Sequence, residues 1–302
     1  MTESAGRVPE RFADVYGGYV RALEEAAGLD TATRRAYDSR IRSYLVFLES
    51  AAIDGPDPLA DPDGRDRAAQ AYLGYLARRR LAASTVNAHL TALDHFYAHL
   101  GLGPARVGRR QSPQRPPRTL DAEQQTRYQL AAGQRPQARD RAIFLLLLHS
   151  GVRPSELVAL DVGDVCLSAG ECVVIVRNGD PRTIPLTDGP AQEAITQWRA
   201  ERSGWPGASA TTALFLNRFG ERLSTRAVRK LLAALADEAE LTGEDGRPSA
   251  SAQTLRATFG ANQLGDGETL TVTHLVTVAG LLGHTRLDTT LRLAASSASG
   301  SQ

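Results

Sequence analysis

RDRAIFLLLLHSGVRPSEL, residues 139–157, decides the fold. Asp140 to Leu148 is a strongly apolar run that predicts a helix built into a core. Ser150-Gly151 stops it, because glycine at a helix end takes the left-handed conformation that other residues resist. Ser155 to Leu160 opens a second, short helix, with Arg153 and Pro154 in the turn between them.

Downstream, the period changes from helical to alternating at Val165. Cys172 to Arg177 and Thr183 to Leu186 predict two strands, joined by a turn at Asn178-Gly179-Asp180-Pro181. The chain then returns to helices: Thr225 to Ala239 is the clearest, followed by Gln253 to Leu264, His274 to Leu281 and Thr285 to Leu293. Upstream, Asp121 can cap a short helix. Residues 10–103 predict a four-helix unit: a stripe through Phe12, Val15, Tyr16, Tyr19, Val20 and Leu23; a helix capped by Thr31 or Thr33 and carrying Tyr37, Ile41, Tyr44, Leu45 and Leu48; a third from Ala69 to Arg80; and a fourth capped by Ser84 or Thr85 and carrying Val86, Leu90, Leu93, Phe96 and Leu100. Their phasing makes the aromatics core residues. We expect residues 1–9 and the small, polar segment 294–302 to be disordered.

At 302 residues and 42% hydrophobic content, the chain can bury a sizeable core in two domains. No apolar run approaches the roughly 20 residues of a membrane helix, and MTESAGRVPE lacks the regions of a signal peptide, so we expect a cytoplasmic protein without membrane association. Cys166 and Cys172 are too few for a disulfide framework or a four-ligand zinc site; a reduced, buried role is expected, with no metal and no cofactor. The net charge of +1 hides a local excess. Arg106, Arg109, Arg110, Arg115 and Arg118 fall in one stretch without an acidic residue, kept extended by Pro113, Pro116 and Pro117. Residues 104–118 are either a basic strap for phosphates or a solvated interdomain linker.

The order and spacing of four segments, residues 139–157, VRNGDPRTIPL (176–186), TLRATFG (254–260) and LLGHTRLDTTLRL (281–293), resemble the signature of the tyrosine recombinase, or phage integrase, family. With the helical unit before them they cover the chain from about residue 10 to 293. The resemblance implies a mainly α fold: a four-helix, SAM-like core-binding domain over 10–103, a basic linker over 104–118, and a larger catalytic-type domain of helices with a small antiparallel β-sheet over 119–293. It also implies a C-shaped clamp on double-stranded DNA.

In that family a tyrosine attacks a DNA phosphodiester, two arginines hold the nonbridging oxygens, histidines assist, and a hairpin lysine protonates the leaving oxygen. Guanidinium suits the phosphate because its planar fork binds two oxygens and stays charged. Arg153 occupies the first arginine site, with Glu156 three residues on to orient it. Arg256 occupies the second, and His284 matches the late histidine. The other positions depart. Gln253 stands where the family has a histidine and cannot exchange a proton near neutral pH. Arg177 stands at the lysine site and holds its proton too tightly. Leu293 stands at the tyrosine site, nine residues after His284. All eight tyrosines precede residue 129, so misalignment does not supply one. The hydroxyls of Thr289, Thr290, Ser296 and Ser297 lie nearby, without an activating base.

These residues lead us to expect a catalytically inactive member of the family that binds DNA in an accessory, regulatory or architectural role, with an active recombinase or a second copy of itself as possible partners. The alternatives are an active recombinase with an unusual or engineered residue set, and a scaffold recruited for a small anionic ligand.

Overall fold

The structure is a computed structural model that describes residues 7–111, 117–168, 171–243, 249–265 and 271–298. It divides into two compact units, Met1–Gln114 and Arg115–Gln302. It is mainly helical with one small antiparallel sheet, and no helix among the described residues is long and apolar enough to cross a membrane.

The first unit holds α1 (Ala13–Glu25), α2 (Thr31–Ser50), α3 (Pro62–Arg78) and α4 (Ala83–His99). Their aromatics fill one core. Tyr19, Tyr44, Tyr72, Phe96 and Tyr97 have no exposed surface, and the phenols find partners as buried hydroxyls must: Tyr19 with His95 Nδ1 at 3.0 Å, Tyr72 with His89 Nδ1 at 3.1 Å, Tyr44 with Tyr97. Three helix starts differ from the sequence expectation. The cap of α2 is Asp30, whose carboxylate accepts from Thr33 N–H at 2.6 Å, so Thr31 and Thr33 lie inside the helix and not at its cap. Helix α3 starts at Pro62, seven residues before Ala69, because Asp61 accepts from the N–H groups of Asp63 and Gly64 and proline suits the first helical position. No side chain caps α4, whose N-cap is Ala82, so Ser84 and Thr85 lie inside it.

The second unit is larger. Helices α5 (Ala122–Gly133) and α6 (Ala138–Ser150) lead it, and α5 carries a capping box between Asp121 and Gln124. Helix α6 is buried along nearly its whole length, from Ala138 to Ser150. Gly151 ends it at φ +61°, and a β-carbon there would lie 2.5 Å from the ring of Phe259, so only glycine permits both the turn and the packing. The short α7 (Pro154–Ala159) follows, then β1 (Val165–Ser168), β2 (Glu171–Val176) and β3 (Arg182–Pro185) in the order β1-β2-β3. Strand β1 was not singled out from the sequence. Strand β2 alternates, its Cys172, Val174 and Val176 facing the core. Cys166, on the opposite phase of β1, is exposed, which corrects the expectation that both cysteines are buried.

Helices α8 (Gly189–Arg202), α9 (Thr225–Glu238), α10 (Ala252–Leu264), α11 (Val272–Leu282) and α12 (Leu287–Ala298) complete the unit. The sequence reading missed α8, although Asp188 caps it and Pro190 opens it. Helix α12 runs to Ala298, so residues 294–298 of the segment expected to be disordered are helical; alanine there favours continuing the turn. Residues 1–6 and 299–302, also expected to be disordered, and Arg115, Pro113 and Pro116 of the strap lie outside the described residues.

Candidate functional site

Where α6 gives way to α7, the backbone places Arg153 just before the first turn of α7. Glu156 reaches back: its Oε2 accepts from the Arg153 N–H at 2.7 Å and its Oε1 from Arg153 Nη1 at 2.7 Å. A carboxylate in the first turn also faces the positive end of the helix. The Arg153 side chain is 38% exposed, while that of Glu156 is 4% exposed. The pairing anticipated from the i, i+3 spacing is therefore present, and the acid lies beneath the base.

Arg256 comes from the second turn of α10. Its Nη1 donates to Gly151 O at 2.7 Å and its Nη2 to Leu282 O. Burial, with the charge of Arg153 next, brings its guanidinium down to about 10, so it remains a cation at neutral pH. Arg153 and Arg256 line one open cleft of about 570 Å³ together with Ser155, Thr225, Arg229, Ser251 and Gln253. Each guanidinium has five N–H donors. Among the described residues Arg153 spends two of its side-chain donors, on Glu156 and Gly283, and Arg256 spends two, on Gly151 and Leu282. That leaves three on each for an anion.

Arg256 also borders a smaller cavity of about 160 Å³, with Gln253, Ala257, Leu282, His284, Thr289, Leu293 and Pro117. His284 follows Gly283, whose φ of +59° turns the chain out of α11. Burial first, then the charges of Arg256, Arg153 and Arg182, hold the His284 imidazole down to about 4, so it is neutral at physiological pH. Its Nδ1 lies 3.0 Å from Thr290 Oγ1. Thr290 is fully buried and thereby engaged, whereas Thr289 is exposed at the cavity. The side chains of Ser296 and Ser297 lie outside the described residues.

Leu293 is 3% exposed and belongs to the core of the unit. Its Cδ2 would lie 2.3 Å from a β-carbon built on Gly260, so α12 and α10 touch where glycine leaves room. No tyrosine approaches from the same unit. Tyr128, its sole tyrosine, has no exposed surface and donates to Phe144 O at 3.2 Å.

The remaining predicted residues lie elsewhere. Arg177 stands just past β2 with a 65% exposed side chain, its Nε donating to Asp164 Oδ1 at 2.5 Å, and it lines neither cavity. Arg109 is spent on α4, with Nη2 to Asp94 Oδ2 at 2.6 Å and Nη1 to Thr91 Oγ1 at 2.8 Å. Arg110 is fastened alongside through its backbone N–H to Asn87 Oδ1. Arg106, Arg110 and Arg118 are exposed. So the stretch at Arg109 and Arg110 lies along α4, and Arg109 is held by a carboxylate.

Two cations were not singled out from the sequence. Arg182 binds Glu156 with both ends of its fork, Nη1 to Oε1 at 3.0 Å and Nη2 to Oε2 at 2.8 Å. Its signal was its place at the start of β3, within the quoted hairpin. Arg229 lines the cleft from α9, one turn after Thr225, which lines it too; the i, i+4 spacing was the available clue.

Residues 118–299 match the model of the phage integrase family, and residues 17–101 match that of the phage integrase N-terminal SAM-like domain. The tyrosine recombinase XerC of Pelobacter propionicus is 31% identical over 277 residues, covering 89% of this chain and 86% of that protein. XerC of Pelotomaculum thermopropionicum is 32% identical over 273 residues, covering 85% of each. Among solved structures, the XerH site-specific recombinase bound to its palindromic difH substrate in a post-cleavage complex resembles the fold with a TM-score of 0.71 at 17% identity, covering 93% of this chain and 81% of that one.

Proposed function

Given that this chain belongs to the phage integrase family, we propose that it binds duplex DNA by gripping a backbone phosphate and does not cleave it. One observation carries the reading: two guanidinium groups with unspent donors meet at one cleft, and the position that the family fills with tyrosine is filled by a leucine packed into the core. The phosphate's nonbridging oxygens would take the free donors of Arg153 and Arg256, a pairing favoured by charge and by the planar fork. His284, neutral and facing the smaller cavity, supplies a polar contact there. No nucleophile follows. Leucine offers no lone pair, Thr290 is committed to His284, and Gln253 and Arg177 provide neither base nor acid at neutral pH.

A protein of this kind occupies a site, bends it or delivers a partner. XerH, a fold neighbour, is seen bound to its palindromic difH substrate, and duplex DNA is the natural ligand to test here. Salt-sensitive gel shifts with duplexes drawn from the flanking genome should appear, weakening steeply between 50 and 200 mM salt as counterion release requires. Incubation with a nicked suicide duplex should leave no covalent adduct. An adduct would instead establish an active recombinase with an unusual residue set. Tight binding of a small anion with no binding of DNA would favour a recruited scaffold.

A further inference from the structure

The carbonyls of the last two residues of α11 and of Gly283, which caps it, each receive a different guanidinium. Arg182 Nε donates to Leu281 O at 2.7 Å, Arg256 Nη2 donates to Leu282 O, and Arg153 Nη2 donates to Gly283 O at 3.0 Å. Three cations that repel one another are gathered where a helix ends in unsatisfied acceptors and its dipole is negative. A single carboxylate completes the cluster. Glu156 accepts four bonds: from Arg153 N–H and Nη1, and from Arg182 Nη1 and Nη2.

Arg182 differs from its two companions in where its donors go. Its side chain is 7% exposed, it lines neither cavity, and its donors point to Glu156, Leu281 O and Asp180 O. It has no face to offer a ligand. It ties three elements at once: β3, from which it projects, α7 through Glu156, and α11 through Leu281. The hairpin packs so closely that a β-carbon on Gly283 would lie 3.1 Å from Arg182 Nη1 and 3.2 Å from Asp180 Cβ.

We infer that Arg182 is a positioning residue that fixes Glu156 and the end of α11, so that Arg153 presents its free donors to a phosphate, and the inference rests on the phosphate-binding reading given above. Lysine cannot substitute. It is a point charge that lacks the fork needed to hold both carboxylate oxygens and a carbonyl together.

The test compares Arg182→Lys with the wild-type chain by DNA affinity as a function of salt, alone and in an Arg153→Ala background. Arg182→Lys should weaken DNA binding about tenfold, the scale of one charge-assisted hydrogen bond, and lower the salt slope by about one. In the Arg153→Ala background the same change should cost less than about twofold, because its effect runs through Arg153. Full additivity, or wild-type affinity for Arg182→Lys, overturns the inference. Absence of DNA binding by the wild-type chain defeats the phosphate-binding reading instead. A readout free of DNA separates the two: the guanidinium N–H resonances of Arg153 should be broader in Arg182→Lys than in the wild type, and unchanged resonances count against the positioning role. If Arg182→Lys does not fold, Glu156→Gln probes the same link and should show the same non-additivity with Arg153→Ala.

Discussion

Arg153 and Arg256 are both half-buried, yet their surroundings assign them different sensitivities. Arg153 leans on a carboxylate, whereas Arg256 leans on carbonyls and lies deeper. Replacing Arg153 with alanine should weaken DNA binding by about 1.5–3 kcal/mol and reduce the salt slope by about one, measured by titration across ionic strengths. His284 provides a pH test. The unfolded imidazole titrates near 6.5, while the folded one is held down to about 4. Between those values the unfolded chain binds the proton that the folded chain refuses, so stability falls as the pH drops from about 6.5 towards 4. His284→Asn should flatten that slope in denaturant melts, and an unchanged slope would show that the imidazole is not held neutral by its neighbours. Glu156 is lowered as well, but against burial and not because of it. Burial raises its carboxyl, but hydrogen bonds from Arg182 and the Arg153 N–H outweigh that and hold it below its ordinary range. Its contribution is complete above the unfolded carboxyl value and is lost as the pH falls through the folded one.

At the scale of elements, the contact between α10 and α12 is the most constrained. A methyl group at Gly260 would meet Leu293 Cδ2 at 2.3 Å and Leu282 Cδ1 at 2.8 Å. Gly260→Ala should therefore destabilise by about 1–3 kcal/mol despite alanine's better helix propensity. Adding Leu293→Ala should recover part of that loss, so chemical denaturation of the single and double variants should show a favourable coupling. The elements were legible to different degrees. Helix α6 and the hairpin declared themselves because apolar runs and turn residues act locally. The start of α3 and the whole of α8 did not, since each is set by an aspartate cap and a proline that read equally well as loop residues. The site was legible where the chemistry is local, as in Arg153 with Glu156. It was opaque where the partner is far along the chain: Arg182 lies 26 residues from Glu156 and 99 from Leu281, and only folding joins them. Arg109 is a milder case, since nothing in the strap's composition foretold its pairing with Asp94.

For the whole molecule, the two units have separate cores, the first rich in tyrosine and the second in leucine. A fragment ending at Gln114 should fold by itself, with cooperative melting followed by circular dichroism, and a fragment that melts without cooperativity would show that its core needs the rest of the chain. Leu293→Tyr is the test of the molecule's chemistry. The new phenol would still lack a proton acceptor at Gln253 and a proton donor at Arg177, so no covalent adduct should form on a nicked duplex, and robust adduct formation would show those two losses to be unimportant.

The packing of Leu293 against Gly260 gives position 293 a structural duty of its own. The Leu293 side chain is part of what holds two helices together, so a larger side chain there would first have to clear a filled place. Any exchange at position 293 is therefore felt first as a change in how α10 and α12 fit together.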